Sequence, residues 1–229
     1  MRNTSAHFTW FRPLAASVLV GAALVLPLSA GVSTAPVLMA DGFDASSSAG
    51  GVPAGWKLGA PGGTSIRVVD ASVVEPASPP FCVELIDNSP TARPEMYRDF
   101  PASEQGRASA AFKLNSTATA HAALQLRSAR GTHLCSVVFS GGRTMRSESA
   151  AGNVNSATEW TAGRWETVRI EWFSDFTFNA FLGDAQFVEH ARFVTNAVPG
   201  KVYVMMGYGA ITNRIGYVDD VRIVGAEVR

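Results

Sequence analysis

Little in this chain of 229 residues favours helix, nucleic acid or zinc. Charge is balanced, with 19 Lys and Arg against 19 Asp and Glu, and no basic stripe is present of the kind that phosphate binding needs. Histidine occurs four times, as His7, His121, His133 and His190, without the spacing of a zinc site. No glycine-rich loop follows a strand and opens a helix, so nucleotide binding has no support, and no nucleophile elbow marks a Ser-His-Asp hydrolase. From Val37 onward no segment sustains a 3.6-residue apolar period. Only two cysteines occur, Cys82 and Cys135.

The N-terminus carries the one long apolar run. Arg2 and Arg12 precede an apolar stretch from Pro13 to Leu28, and small residues follow at Ser29 and Ala30. This is the layout of a secretory signal peptide over residues 1–30, the apolar run being shorter than the ~20 residues that span a bilayer. The expected location is secreted, periplasmic or cell envelope, with a membrane contact only if the signal stays uncleaved. Removing Arg2 and Arg12 with the signal leaves 17 basic against 19 acidic residues. In an exported chain two cysteines predict a Cys82–Cys135 disulfide, worth about 4 kcal/mol on the chain-entropy model.

What the rest of the chain has is strand. "SIRVVD", "FCVELID", "RASAAFKL", "HAALQLRS", "LCSVVFS", "WETVRIEWF", "TFNAFLG", "KVYVMMGYG" and "YVDDVRIVG" alternate with period two between Gly, Pro, Ser and Asn clusters. Such spacing predicts one all-β domain over 36–229, a sandwich or barrel. "SARGTH", "FSGGRT" and "FLGDAQF" read as tight turns. Two stretches, 44–56 and the polar 145–163, read as loops, the second a functional candidate.

Three segments carry a resemblance. "VLMADGFDASSSAGGVPAGW", "GRWETVRIEWFSDFTFNAFLGDAQF" and "YVDDVRIVG" resemble the opening strand, central hairpin and closing strand of concanavalin A-like lectin/glucanase (laminin-G-like) domains of bacterial exported proteins. The resemblance implies a jelly-roll sandwich of two antiparallel sheets. It also implies a structural calcium, with Asp41 or Asp44 near Asp219 or Asp220. The alternative for the adjacent pair Asp219 and Asp220 is that the inward acid accepts backbone amides or pairs with an arginine such as Arg222.

Glycoside hydrolases of this fold carry two carboxylates on one strand face. Glu166 and Glu171 are five apart and therefore on opposite faces, which argues against that chemistry. Alginate-lyase-type enzymes are echoed by "RPEMYR" and "YVMMGY", which would place Arg93, Arg127 and Tyr208 at a lyase site, with Tyr203 or His121 as further proton carriers. The departures are Arg98, displaced by one position, Arg127 where a histidine is expected, and Met205 in place of lysine. The expected function is therefore a non-catalytic module for a polysaccharide or cell-surface glycan, with Trp160, Trp172, Phe176 and Tyr208 as candidate aromatic contacts. A diverged polysaccharide lyase and a structural or adhesive envelope protein are the alternatives.

Overall fold

A computed structural model of the chain describes residues 35–44, 48–116, 121–207 and 213–226. Among these, fifteen strands form two antiparallel sheets packed face to face. The strands are β1 (Val37–Asp41), β2 (Lys57–Gly59), β3 (Thr64–Asp70), β4 (Phe81–Asp87), β5 (Glu95–Asp99), β6 (Gly106–Leu114), β7 (Ala122–Ser128) and β8 (His133–Phe139). They continue as β9 (Thr144–Ser149), β10 (Gly152–Glu159), β11 (Trp165–Trp172), β12 (Thr177–Leu182), β13 (Ala185–Arg192), β14 (Pro199–Met206) and β15 (Arg214–Gly225).

The first sheet runs β13-β12-β11-β6-β15-β4-β3, with β1 also paired to β15; the second runs β10-β9-β8-β7-β14-β5-β2. Alternation decides what each strand buries. On β7, Leu124 and Leu126 enter the core between the sheets while Gln125 and Arg127 face away from it. The aromatic centre of that core includes Phe43, Phe112, Phe139, Trp160, Trp172 and Phe178, all under 3% exposed. All nine expected strands form.

Three expectations are corrected. The polar stretch 145–163 is mostly a hairpin, β9 and β10, whose Gly152 takes the positive φ that its turn requires. The disulfide does not form: both thiols are free and buried. Cys135 on β8 points into the intersheet core, whereas Cys82 on β4 points to the opposite side of its own sheet, beside Val69 and Tyr217. Trp160 and Trp172 are each 1% exposed, so neither offers a surface ring. Their indole nitrogens donate to the carbonyls of Ser140 and Ser103, which settles the one polar atom each brings into the core.

The adjacent acids on β15 sit at a change of partner. Residues 214–218 pair with β4, residues 221–224 pair with β1, and the register against β6 slips between Asp219 and Arg222. Asp220 takes φ of 50° there and points to solvent. Asp219 is wholly buried and accepts the Ser78 amide at 2.9 Å and the Asp220 amide at 2.8 Å. A bulge thus separates the two carboxylates, and backbone amides satisfy the inner one.

Candidate functional site

The outward face of the second sheet carries a polar row in register across six strands. Glu148 (β9) lies opposite Ser136 (β8), Ser136 opposite Gln125 (β7), Gln125 opposite Tyr203 (β14), Tyr203 opposite Tyr97 (β5), and Tyr97 opposite Lys57 (β2). Neighbouring rows add Arg127, Lys201 and Asp99 on one side, and Arg146, Val138, Ala123, Met205 and Glu95 on the other. A core face would require apolar side chains at these positions; here most are charged or can hydrogen-bond.

Part of the face is a depression of about 210 Å³, lined among others by Arg93, His121, Gln125, Arg127, His133 and Glu148. A continuous hydrogen-bond chain crosses its floor. Arg127 Nε donates to Gln125 Oε1, Gln125 Nε2 donates to Ser136 Oγ at 2.8 Å, and Ser136 Oγ lies 2.8 Å from His133 Nε2. Glu148 Oε1 accepts from Arg146 Nη2 at 3.0 Å, and its Oε2 is 3.9 Å from His133 Nε2.

Beside the depression stands a ridge of stacked groups. The Arg127 guanidinium lies 3.9 Å from the Tyr203 ring centre, and Tyr97 stacks on the same ring at 4.6 Å and 10°. Lys57 and Lys201 each approach the Tyr97 ring at 5.5 Å, and Asp99 bridges both ammonium groups at 3.0 and 2.8 Å. Those contacts, hydrogen bonding from Lys201 first, hold the Asp99 carboxyl below its ordinary range. With both faces covered, Tyr203 turns its edge outward and is 7% exposed.

Burial, reinforced by Arg146, Arg214 and Arg93, pushes His121 down to about 4. His133 is also lowered, by burial first, with Arg127 adding to the effect and Glu148 opposing it. Near neutral pH both rings are therefore free bases.

The structure brings Arg93 and Arg127 together with His121, and Tyr208 lies outside the described residues. Phe176 is elsewhere, half-buried in the turn between β11 and β12 of the first sheet, with φ of 62°. Arg98, shifted by one position, changes face as the alternation requires and reaches Asp41 Oδ2 at 2.7 Å.

Of the calcium candidates, Asp41, Asp219 and Asp220 have partners within the protein. Asp41 Oδ2 also accepts from Trp56 Nε1 at 2.9 Å and its Oδ1 from the Phe43 amide at 2.8 Å, so this acid already neutralises a guanidinium. Asp44 and Asp220 flank Gly42, where an added Cβ would meet their oxygens at 3.5 and 3.6 Å, and Asp220 Oδ1 accepts from Ser78 Oγ at 2.7 Å. No three acidic, histidine or cysteine side chains group as metal ligands among the described residues. Calcium takes six to eight oxygens, and of these acids Asp41 and Asp219 are already committed to partners within the protein.

No family model and no curated protein matches the sequence. Solved structures share the fold. A sialidase matches 76% of this chain with a TM-score of 0.64 at 11% identity, and the chain spans only 17% of that protein's length. Cellulose induced protein Cip1 matches 83% of this chain and 98% of its own, with a TM-score of 0.60 at 14% identity. A carbohydrate esterase of the Shiga toxin-encoding bacteriophage phi24B matches 84% of this chain and all of its own, with a TM-score of 0.59 at 12% identity. At these identities the likeness is one of fold.

Proposed function

We propose that the outward face of the second sheet binds a glycan, in a chain exported by its apolar leader. The observation that carries this reading is the registered row from Glu148 to Lys57. Strands lie about 4.8 Å apart, so the row extends roughly 24 Å, enough for an extended oligosaccharide. Sugar hydroxyls need fixed donors and acceptors, and a network that already orders its own side chains offers them at little further entropic cost. Recognition is by hydrogen bonds from the depression, walled by the tyrosine ridge, in place of the flat aromatic platform expected from the sequence. That the solved structures of similar fold include proteins named for action on glycans agrees with this reading.

The meeting of Arg93, His121 and Arg127 in one depression favours a second reading, β-elimination from a uronate polymer. There the arginines would neutralise the carboxylate and the unprotonated His121 would take the proton. Met205, which lines the depression where the lyase pattern has lysine, weighs against it.

The test is retardation of the purified chain in gels of neutral and uronic polysaccharides, with ultraviolet detection of unsaturated products. Retardation without products, weakened roughly ten- to a hundred-fold by Arg127→Ala, supports binding, since a hydrogen bond to a charged group contributes about 1.5–3 kcal/mol. Unsaturated products establish the lyase. No retardation by any polysaccharide refutes both.

A further inference from the structure

His133 and Ser136 are three apart on β8, and in a regular strand they would face opposite sides. The pairing of β8 with β7 steps from Leu126–Cys135 to Arg127–His133, which fits one extra residue, Leu134, into β8. This irregularity turns the His133 ring to the face of Ser136, with Nε2 2.8 Å from Oγ. Bulges commonly re-aim a side chain in this way beside active sites.

The proton positions follow from the donors. Arg127 Nε can only donate, so the oxygen of the Gln125 amide faces it, and the amide nitrogen faces Ser136. Ser136 Oγ accepts from that nitrogen and directs its single proton to His133 Nε2. The ring is also hydrogen-bonded to the Cys135 backbone, and burial keeps it unprotonated near neutral pH. A hydroxyl donating to a free imidazole is the resting arrangement of a serine nucleophile with its base. Ser136 is 1% exposed and forms part of the floor of the depression. Arg127, which has no carboxylate partner among the described residues, stands one hydrogen bond beyond Gln125.

We propose that Ser136 is a nucleophile for acyl transfer from small oxygen esters, with His133 as its general base. Ser136 Oγ bonds to the ester carbonyl carbon as its proton passes to His133 Nε2. The tetrahedral oxyanion faces the second amide N–H of Gln125 and the unengaged N–H groups of Arg127, while the Glu148 carboxylate stabilises the imidazolium. The C–O bond to the alcohol breaks, and that alcohol leaves with the proton from His133. Water then attacks the acyl-serine, His133 accepts a proton from it, and the carboxylic acid is released as Ser136 recovers its hydrogen.

The acyl chemistry stands apart from the glycan reading; where both hold, the ester is an O-acyl group on the glycan. The experiment treats the full chain with a fluorophosphonate, maps the adduct by peptide mass spectrometry, and follows hydrolysis of p-nitrophenyl acetate. The expected result is an adduct on Ser136, and turnover reduced roughly a hundred-fold or more by Ser136→Ala and by His133→Gln. Absence of a Ser136 adduct in the folded wild-type chain overturns the proposal, as does turnover unchanged in either variant. The adduct is read in the wild-type protein, so a variant that fails to fold leaves the test intact. Ester turnover in a chain that no polysaccharide retards would refute only the glycan reading, and retardation without an adduct only this one.

Discussion

Two buried groups should oppose each other as the protein is acidified. Burial raises Asp219 to about 6, against an ordinary value of 3.8. Between those values the native state holds a proton that the unfolded chain has released, so stability increases as pH falls from 6 towards 4. His121 is the reverse. Burial, with Arg146, Arg214 and Arg93 around it, lowers the ring from 6.5 to about 4. There the unfolded chain holds the proton and the native state does not, so stability is lost as pH falls through the same window. Each shift exceeds two pH units and corresponds to about 3 kcal/mol, of opposite sign. Of these two contributions the wild-type chain should show almost no net slope. Asp219→Asn should expose the histidine, with stability falling by about 3 kcal/mol from pH 7 to pH 4 relative to wild type, and His121→Gln should expose the aspartate, with stability rising by a similar amount. Urea unfolding at a series of pH values measures both. Two variants that keep the wild-type profile would refute the reasoning, since neither residue would then be perturbed by its surroundings.

Other consequences are simpler to check. Unfolded without reductant, the chain should titrate two thiols, and dithiothreitol should leave its melting temperature unchanged, because Cys82 and Cys135 face different sides of different sheets. EDTA should likewise leave the melting temperature unchanged, since Asp41 is paired with the Arg98 guanidinium and Asp219 is hydrogen-bonded by backbone amides. Gly207→Ala should destabilise by roughly 3–5 kcal/mol in the same urea assay, the cost of breaking a buried ion pair. Its Cβ would stand 2.0 Å from Asp87 Oδ2, which is bonded to the buried Arg214 at 2.8 Å, and the backbone there has φ of +88°.

Strand identity was legible because alternation is a local property: each of the nine runs contains both its apolar face and its turn residues. The hairpin 144–159 was not, since β10 is exposed along nearly its whole length and so carries no apolar alternation to read. Trp160 and Trp172 misled for a related reason. Trp160 closes a polar stretch and Trp172 ends β11 before a polar turn, yet each aromatic ring supplies enough apolar area to be drawn into the core once its indole nitrogen finds a carbonyl. Arg93 and Arg127 were found through a resemblance to lyases, whereas Gln125, Ser136, His133 and Glu148 were missed as a group. Ser136 interrupts an otherwise apolar strand, which is a usable signal. What the sequence does not contain is the strand order that sets β9, β8 and β7 side by side.

The face a residue occupies in this fold depends on single-residue offsets, and the candidate site follows from two of them. In β5 the alternation gives the outward position to Tyr97, which completes the stack on Tyr203, and sends Arg98 inward to Asp41 of β1. That ion pair ties the two sheets together, because β1 belongs to the first sheet and β5 to the second. In β8 the extra residue at Leu134 does the opposite, rescuing His133 for the outward face when strict alternation would have buried it. The same irregularity keeps Leu134 in the core beside Cys135, where strict alternation from Ser136 would have turned it outward, so one extra residue serves both the polar face and the packing. A strand that departs from the regular pattern where its polar network begins thus sets two side chains at once, Leu134 in the core and His133 beside Ser136 on the outward face.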